Sequence, residues 1–279
     1  MLNLATVVGR NTHMLPHMLN HYKNIVDNIY VIVYRQSEDD NILEEIEELG
    51  ITPFKVVTEP KYDWNKVTEL YNKLKRTKAD EWWIVSDDDE LQVYPRDIRE
   101  IIDKCEVMDY KFVTGGFIDR IGTKGSFPEV KRNTNVHTAF PYAGFFRYPM
   151  SGACPNKVTL MKGYVDVTPG QHYVQFANGT TSWGDKHPDR MPIEECFTQV
   201  HHFKWDSSVL KRLLEVAETK TGTSFHKEYN KMYRAIARSD WKIDIKNKDY
   251  FVEKLKNFSY IDYKDYPNWD KIRSLIVKI

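Results

Sequence analysis

Cysteine is scarce in this 279-residue chain: Cys105, Cys154 and Cys196 are odd in number, widely separated and in no metal-binding spacing. That argues against a disulfide framework and makes them packing residues of a reducing compartment. No run of about 18 apolar residues occurs, so no membrane-spanning helix is expected. The N-terminal MLNLATVVGR has no basic segment leading into a long apolar core, and the expectation is a soluble, cytoplasmic protein. Net charge is missing too, since 40 Lys plus Arg balance 40 Asp plus Glu. Without a global field, nucleic acid and anionic membranes are not expected partners, and a small polar substrate fits better than a polyanion. Internal repeats and low-complexity tracts are absent.

What is present is alternation. Leu4 to Val8, Ile29 to Tyr34, Phe54 to Val57, Trp82 to Val85 and Phe112 to Ile118 read as strands. Between them, Leu15 to Ile25, Asn41 to Leu49 (closed by Gly50), Asn65 to Lys75 and Ile98 to Ile102 carry apolar residues at helical spacing, the last with Pro95 at its start. Such an order predicts an α/β fold with a mostly parallel, doubly wound, Rossmann-like sheet. Gly122 to Lys157 shows no sustained period and reads as a long irregular, functional segment. Val158 to Met161 and Phe197 to Trp205 read as strands. From Ser207 the chain turns helical, over Val209 to Thr219, His226 to Ala237 and Tyr250 to Phe258, with Asp206 or Ser207 as the first N-cap. The expected organisation is one α/β domain over 1–206, in two halves, 1–120 and 121–206. A helical region, 207–279, packs on the same domain.

The most informative stretch is WWIVSDDDE, Trp82 to Glu90. Four residues of buried-strand character run through Ser86 into four carboxylates, which therefore project from the C-terminal end of a covered strand, where open α/β sheets bind ligands. Their mutual repulsion calls for a divalent cation or solvent, and Asp87 and Asp89 share one side of an extended backbone. The plainer reading is a solvated acidic turn.

Together, the first strand running into GRNTHMLP, the amphipathic helix with HYKNI, the second strand and the later D-x-D-E resemble the GT-A glycosyltransferases. The likeness is to the family 2-like branch, whose members carry RNE..LP..L.HH and DxDEF. It covers about residues 4 to 120, with a second patch at VHHFKW, Val200 to Trp205, and Asn72 stands fifteen residues before Asp87 as in many such sequences. Thr12 stands where the family usually has Glu, and Tyr34-Arg35-Gln36 where a carboxylate often ends the second strand. The resemblance implies a metal-dependent glycosyltransferase, a hexosyl- or pentosyltransferase. It would move a sugar from a nucleotide-sugar donor to a hydroxyl of a glycan or other acceptor. Mn²⁺ or Mg²⁺ would act as a Lewis acid on the departing diphosphate.

The resemblance also implies roles. Asp89 is the direct metal ligand and Asp87 meets the ribose or the metal; Arg10, Asn11 and Asn72 meet the nucleotide, against the plainer alternatives of a surface Arg10, a turn or cap Asn11 and an Asn72 that only caps the helix surface. On an extended segment Val200, His202 and Lys204 share one face, while His201, Phe203 and Trp205 share the other, which looks like packing. His202 and Lys204 suit a metal ligand and a diphosphate contact, against the alternative of an ordinary surface His202. Inversion needs a base, for which Asp119 is the first choice and Asp185, Glu194 and Glu195 are alternatives; the plainer reading of Asp119 is an ion pair with Arg120 or another cation. Retention needs no such base. Tyr142, Phe145, Phe146, Tyr148 and Trp183 are acceptor-side aromatics, and His172 is either an acceptor-side or a structural residue. Two further readings stand: a sugar-phosphate nucleotidyltransferase, disfavoured by the single glycine in VVGRNTHMLP, and a non-catalytic carbohydrate-binding protein.

Overall fold

Short β-branched and aromatic runs between amphipathic segments set the element order in the computed structural model, which describes residues 1–9, 12–146, 156–175, 181–182, 187–219, 224–246, 250–254 and 277. In chain order these are β1 (Leu2–Val8), α1 (Leu15–Tyr22), β2 (Asn28–Arg35), α2 (Ile42–Glu48), β3 (Lys55–Thr58), α3 (Trp64–Arg76), β4 (Trp82–Val85), β5 (Glu90–Val93), α4 (Ile98–Met108) and β6 (Phe112–Ile121). There follow α5 (Val136–Ala139), β7 (Tyr142–Phe146), β8 (Asn156–Lys162), β9 (Asp166–Val167), β10 (Val174–Gln175), β11 (Thr181–Ser182), β12 (Thr198–His202), α6 (Ser207–Thr219), α7 (Ser224–Arg238) and β13 (Tyr250–Lys254). Contacts divide the chain into two units, Met1–Gly116 with Asn156–Val200 and Phe117–Pro155 with His201–Ile279.

In the first unit the strand order is β3-β2-β1-β4-β8-β6. The block β3-β2-β1-β4 is parallel, with Leu4 opposite Ile29 and Ile84, and β8 runs antiparallel to β4 and β6. Alternation along the strands places Ala5, Ile32, Tyr34, Trp83 and Val85 in one cluster with Val67, Leu70, Tyr71 and Leu74 of α3. Burial of Val67, Leu70 and Leu74 contributes about 1.5–3 kcal/mol each. Trp82 lies on the opposite face, where its indole donates to Glu106 of α4 at 2.6 Å. Helices thus cover both faces of a Rossmann-like α/β sheet with a parallel centre.

Local chemistry sets the element ends. Asp63 caps α3 by accepting from the Asn65 N–H at 2.8 Å. Asp97, two residues beyond the expected Pro95, caps α4 by accepting from the Arg99 N–H at 2.7 Å. Gly50, at φ 72°, closes α2 in the left-handed region, and the Ile51 N–H reaches back to Ile46. At Gly115 an added Cβ would lie 1.9 Å from the Thr198 carbonyl, so the glycine is required by the approach of β12.

The second unit pairs Asp119 to Ile121 of β6 antiparallel with β7, and β7 with β13. Here Ile121, Trp205, Val209, Leu213, Tyr229, Met232 and Ile236 form one core. Asp206 caps α6 through the N–H groups of Ser208 and Val209. The expected helix from Tyr250 is instead β13: Tyr-Phe-Val is strand-forming sequence, and pairing with β7 outweighs the helical spacing. The segment expected to be irregular contains α5 and β7. Among the described residues no helix is long and apolar enough to cross a membrane.

One core residue makes stability depend on pH. Lys75 is fully buried, with Nζ donating to the Val165 carbonyl and lying 3.4 Å from the Met161 sulfur. Burial lowers its pKa to about 7, with Asp166 opposing the shift. Between pH 7 and 10 the unfolded chain holds a proton that the folded chain does not, so this group makes stability rise with pH, by roughly 1.4 kcal/mol per unit. Burial raises the Cys105 and Cys196 thiols to about 12, which opposes the rise above pH 9. Urea unfolding between pH 7 and 8.5 should therefore show rising stability, and Lys75→Met should flatten that slope.

Candidate functional site

The acids after β4 form a tight turn into β5. The Glu90 N–H returns to the Asp87 carbonyl at 3.0 Å, and the buried Ser86 hydroxyl donates to the Glu90 carbonyl at 2.9 Å. Two buried tyrosines, one from each face of the sheet, fix this turn. Tyr22 of α1 lies 3.3 Å from Ser86 Oγ and accepts from the Gln92 N–H at 2.9 Å. Tyr71 of α3 accepts from the Val7 N–H at 3.0 Å and donates to Asp87 Oδ1 at 3.2 Å. Burial first, and then the Asp87 charge, raise the Tyr71 phenol well above its ordinary range, so it stays protonated as a donor. The end of β1 and the first acid of the turn are thereby tied together at the C-terminal edge of the parallel strands.

The four carboxylates do not share one environment. Asp87, Asp88 and Asp89 are half-buried, whereas Glu90 is buried and pairs with Lys157 at 2.7 Å. Lys157 also donates to Gln171 at 2.8 Å. Glu90 is thus neutralised by its own chain, and the repulsion left for a cation to relieve is that of the three aspartates. Among the described residues no three His, Cys, Asp or Glu side chains converge as a metal-holding group. A hard cation of the Mg²⁺ or Mn²⁺ type requires only one or two carboxylates plus phosphate and water oxygens.

In the second unit, Asp119 is 6% exposed, and its Oδ1 accepts from Trp205 Nε1 at 2.9 Å and from His202 Nδ1 at 3.0 Å. A carboxylate accepting at Nδ1 fixes the tautomer that leaves Nε2 as the acceptor nitrogen of His202. Arg120 does not pair with Asp119. It faces the other way, donating to the Phe140 carbonyl at 2.6 Å and to His201 Nδ1 at 3.2 Å, and burial lowers its pKa to about 10. His201, Phe203 and Trp205 are buried, and Lys204 Nζ lies 5.5 and 5.2 Å from the ring centroids of Trp205 and Tyr229.

Other expected site residues sit elsewhere. Asn72 exchanges two 3.0 Å hydrogen bonds with the Val167 backbone, which ties α3 to β9. Glu195 pairs with Lys104, on the turn of α4 that also carries Glu106. Since Glu106 meets Trp82 at the start of β4, that ion pair belongs to the end opposite the acids. His172 Nδ1 lies 2.8 Å from the Asn156 carbonyl, and Tyr142 packs on the second unit's core. Arg10, Asn11, Asp185, Tyr148, Trp183 and the side chains of Phe145 and Phe146 lie outside the described residues.

Two contributors escaped the sequence reading. The tyrosine hydroxyls were visible as Tyr in place of Phe at inward helix positions. Lys157 was visible as a cation opening the otherwise uncharged run Lys157 to Met161.

No family model matches the chain, and no curated protein matches it. Solved structures that it resembles include S. aureus TarS, at 9% identity over 86% of this chain and 44% of that one. A putative glucose-1-phosphate thymidylyltransferase from Bacillus anthracis matches at 10% identity over 85% and 84% of the two chains. A 4-diphosphocytidyl-2C-methyl-D-erythritol synthase matches at 11% identity over 58% and 75%. The TM-score is 0.31 in each case, so these likenesses decide nothing about activity.

Proposed function

We propose that the chain is a metal-dependent glycosyltransferase that moves a sugar from a nucleotide-sugar donor to an acceptor hydroxyl. The observation that carries this reading is the Asp87 to Asp89 turn, braced by Tyr22 and Tyr71 at the ligand-binding edge of a parallel sheet. Asp87 and Asp89 would hold Mn²⁺ or Mg²⁺, which supplies neutralisation of the charge that develops on a departing diphosphate. Tyr71 orients Asp87 before the donor arrives, so little reorganisation remains when charge develops. Lys157 keeps Glu90 out of the ligand set. In the second unit, Asp119 serves as the positioning group for His202.

Thermal melting against UDP, GDP, dTDP and CMP, with and without Mn²⁺, tests the reading. One nucleotide should raise Tm only when Mn²⁺ is present. No response to any nucleotide would sink it, and pyrophosphate release from a nucleoside triphosphate and a sugar phosphate would favour a nucleotidyltransferase.

A further inference from the structure

An open groove of about 360 Å³, with both polar and apolar lining, lies along α3 beside β9 and β10, lined among others by Asn65, Thr68, Glu69, Lys73, Arg76 and Asp166. That volume falls within the range of small-molecule sites. Its charged groups are paired within the groove: Lys73 with Glu69, and Arg76 with Asp166. Two cations and two anions cancel, so neither a polyanion nor a polycation is favoured there. What remains is a dense set of planar amide, carboxylate and guanidinium groups, which suit the adjacent hydroxyls of an uncharged polyol. Buried Thr68 and Asn72 lie beneath, each already bonded to backbone, at the Trp64 and Val167 carbonyls, so this floor is rigid before any ligand binds.

Direction and aromatic surface add to this. Tyr71 reaches Asp87, whereas the Lys78 carbonyl, just past the helix, accepts from the Trp83 indole near the start of β4. The helix, and the groove with it, therefore runs from the acid-turn edge towards the opposite edge, over about 16 Å from Asn65 to Arg76. The turn entering its upper end carries exposed Tyr62 and Trp64, with ring centroids 5.7 Å apart and planes at 72°. Such rings offer flat apolar surface to the C–H faces of a pyranose.

We infer that this groove binds a neutral oligosaccharide. The site needs neither metal nor nucleotide, so it stands apart from the transferase reading and can be tested without it. Saturation-transfer NMR and calorimetry on the full chain, without metal or nucleotide, would use cellotetraose, maltotetraose and chitotetraose, with a heparin tetrasaccharide as anionic comparator. At least one neutral probe should bind. Asn65→Ala/Gln175→Ala, which removes two exposed lining amides without changing charge, should weaken binding at least ~10-fold with Tm unchanged, as should Trp64→Ala. Asp89→Asn should bind the probe as the parent does. The proposal is overturned if no neutral probe binds, if the double variant binds undiminished, if the heparin fragment binds more tightly, or if only Asp89→Asn loses binding. Failure of donor hydrolysis with groove binding intact would count against the transferase alone.

Discussion

Lys157→Ala lowers the unfolding free energy by about 3–5 kcal/mol, because it leaves the Glu90 carboxylate buried without its cation. The pair is inaccessible to solvent, with side chains 2–3% exposed, and the Nζ–Oε1 distance is 2.7 Å. Gln171 loses its partner in the same variant. The effect reaches the candidate site because Glu90 opens β5 directly after the acid turn, and its N–H and carbonyl close that turn onto Asp87 and Ser86. Replacing both members with apolar residues, Glu90→Leu with Lys157→Met, should cost much less than the single change. Urea unfolding at pH 7.5 measures both, and a single-variant loss below about 1 kcal/mol would mean that water or another group already satisfies Glu90.

The parallel centre of the fold was legible because its strands are short apolar runs, and α3 because its inward residues recur at helical spacing. The acids were legible for a simpler reason, being consecutive. What makes them a site was not. Tyr71 meets Val7 across 64 positions, and Asn72 meets Val167 across 95. No local pattern announces such bonds. Asp119 shows the same effect: its hydrogen bonds to His202 and Trp205 reach across 83 and 86 positions. β5 and β13 were missed because the first hides in the acid run and the second has helical spacing that pairing overrides.

The central claim rests on Asp89. Asparagine in its place keeps the shape of the side chain and removes the charge that a hard cation requires. Asp89 is half-buried on a turn whose closing bonds come from Ser86, Glu90 and Tyr22, so the variant should melt within a few degrees of the parent. Loss of an electrostatic group that acts on the leaving diphosphate typically costs at least ~100–1000-fold in turnover. The most direct measurement is Mn²⁺-dependent hydrolysis of UDP-, GDP-, dTDP- and CMP-sugars by the parent chain and by Asp89→Asn at matched folded concentration. The account predicts hydrolysis of one donor by the parent and a loss of at least ~100-fold in the variant. Full activity in Asp89→Asn would contradict it.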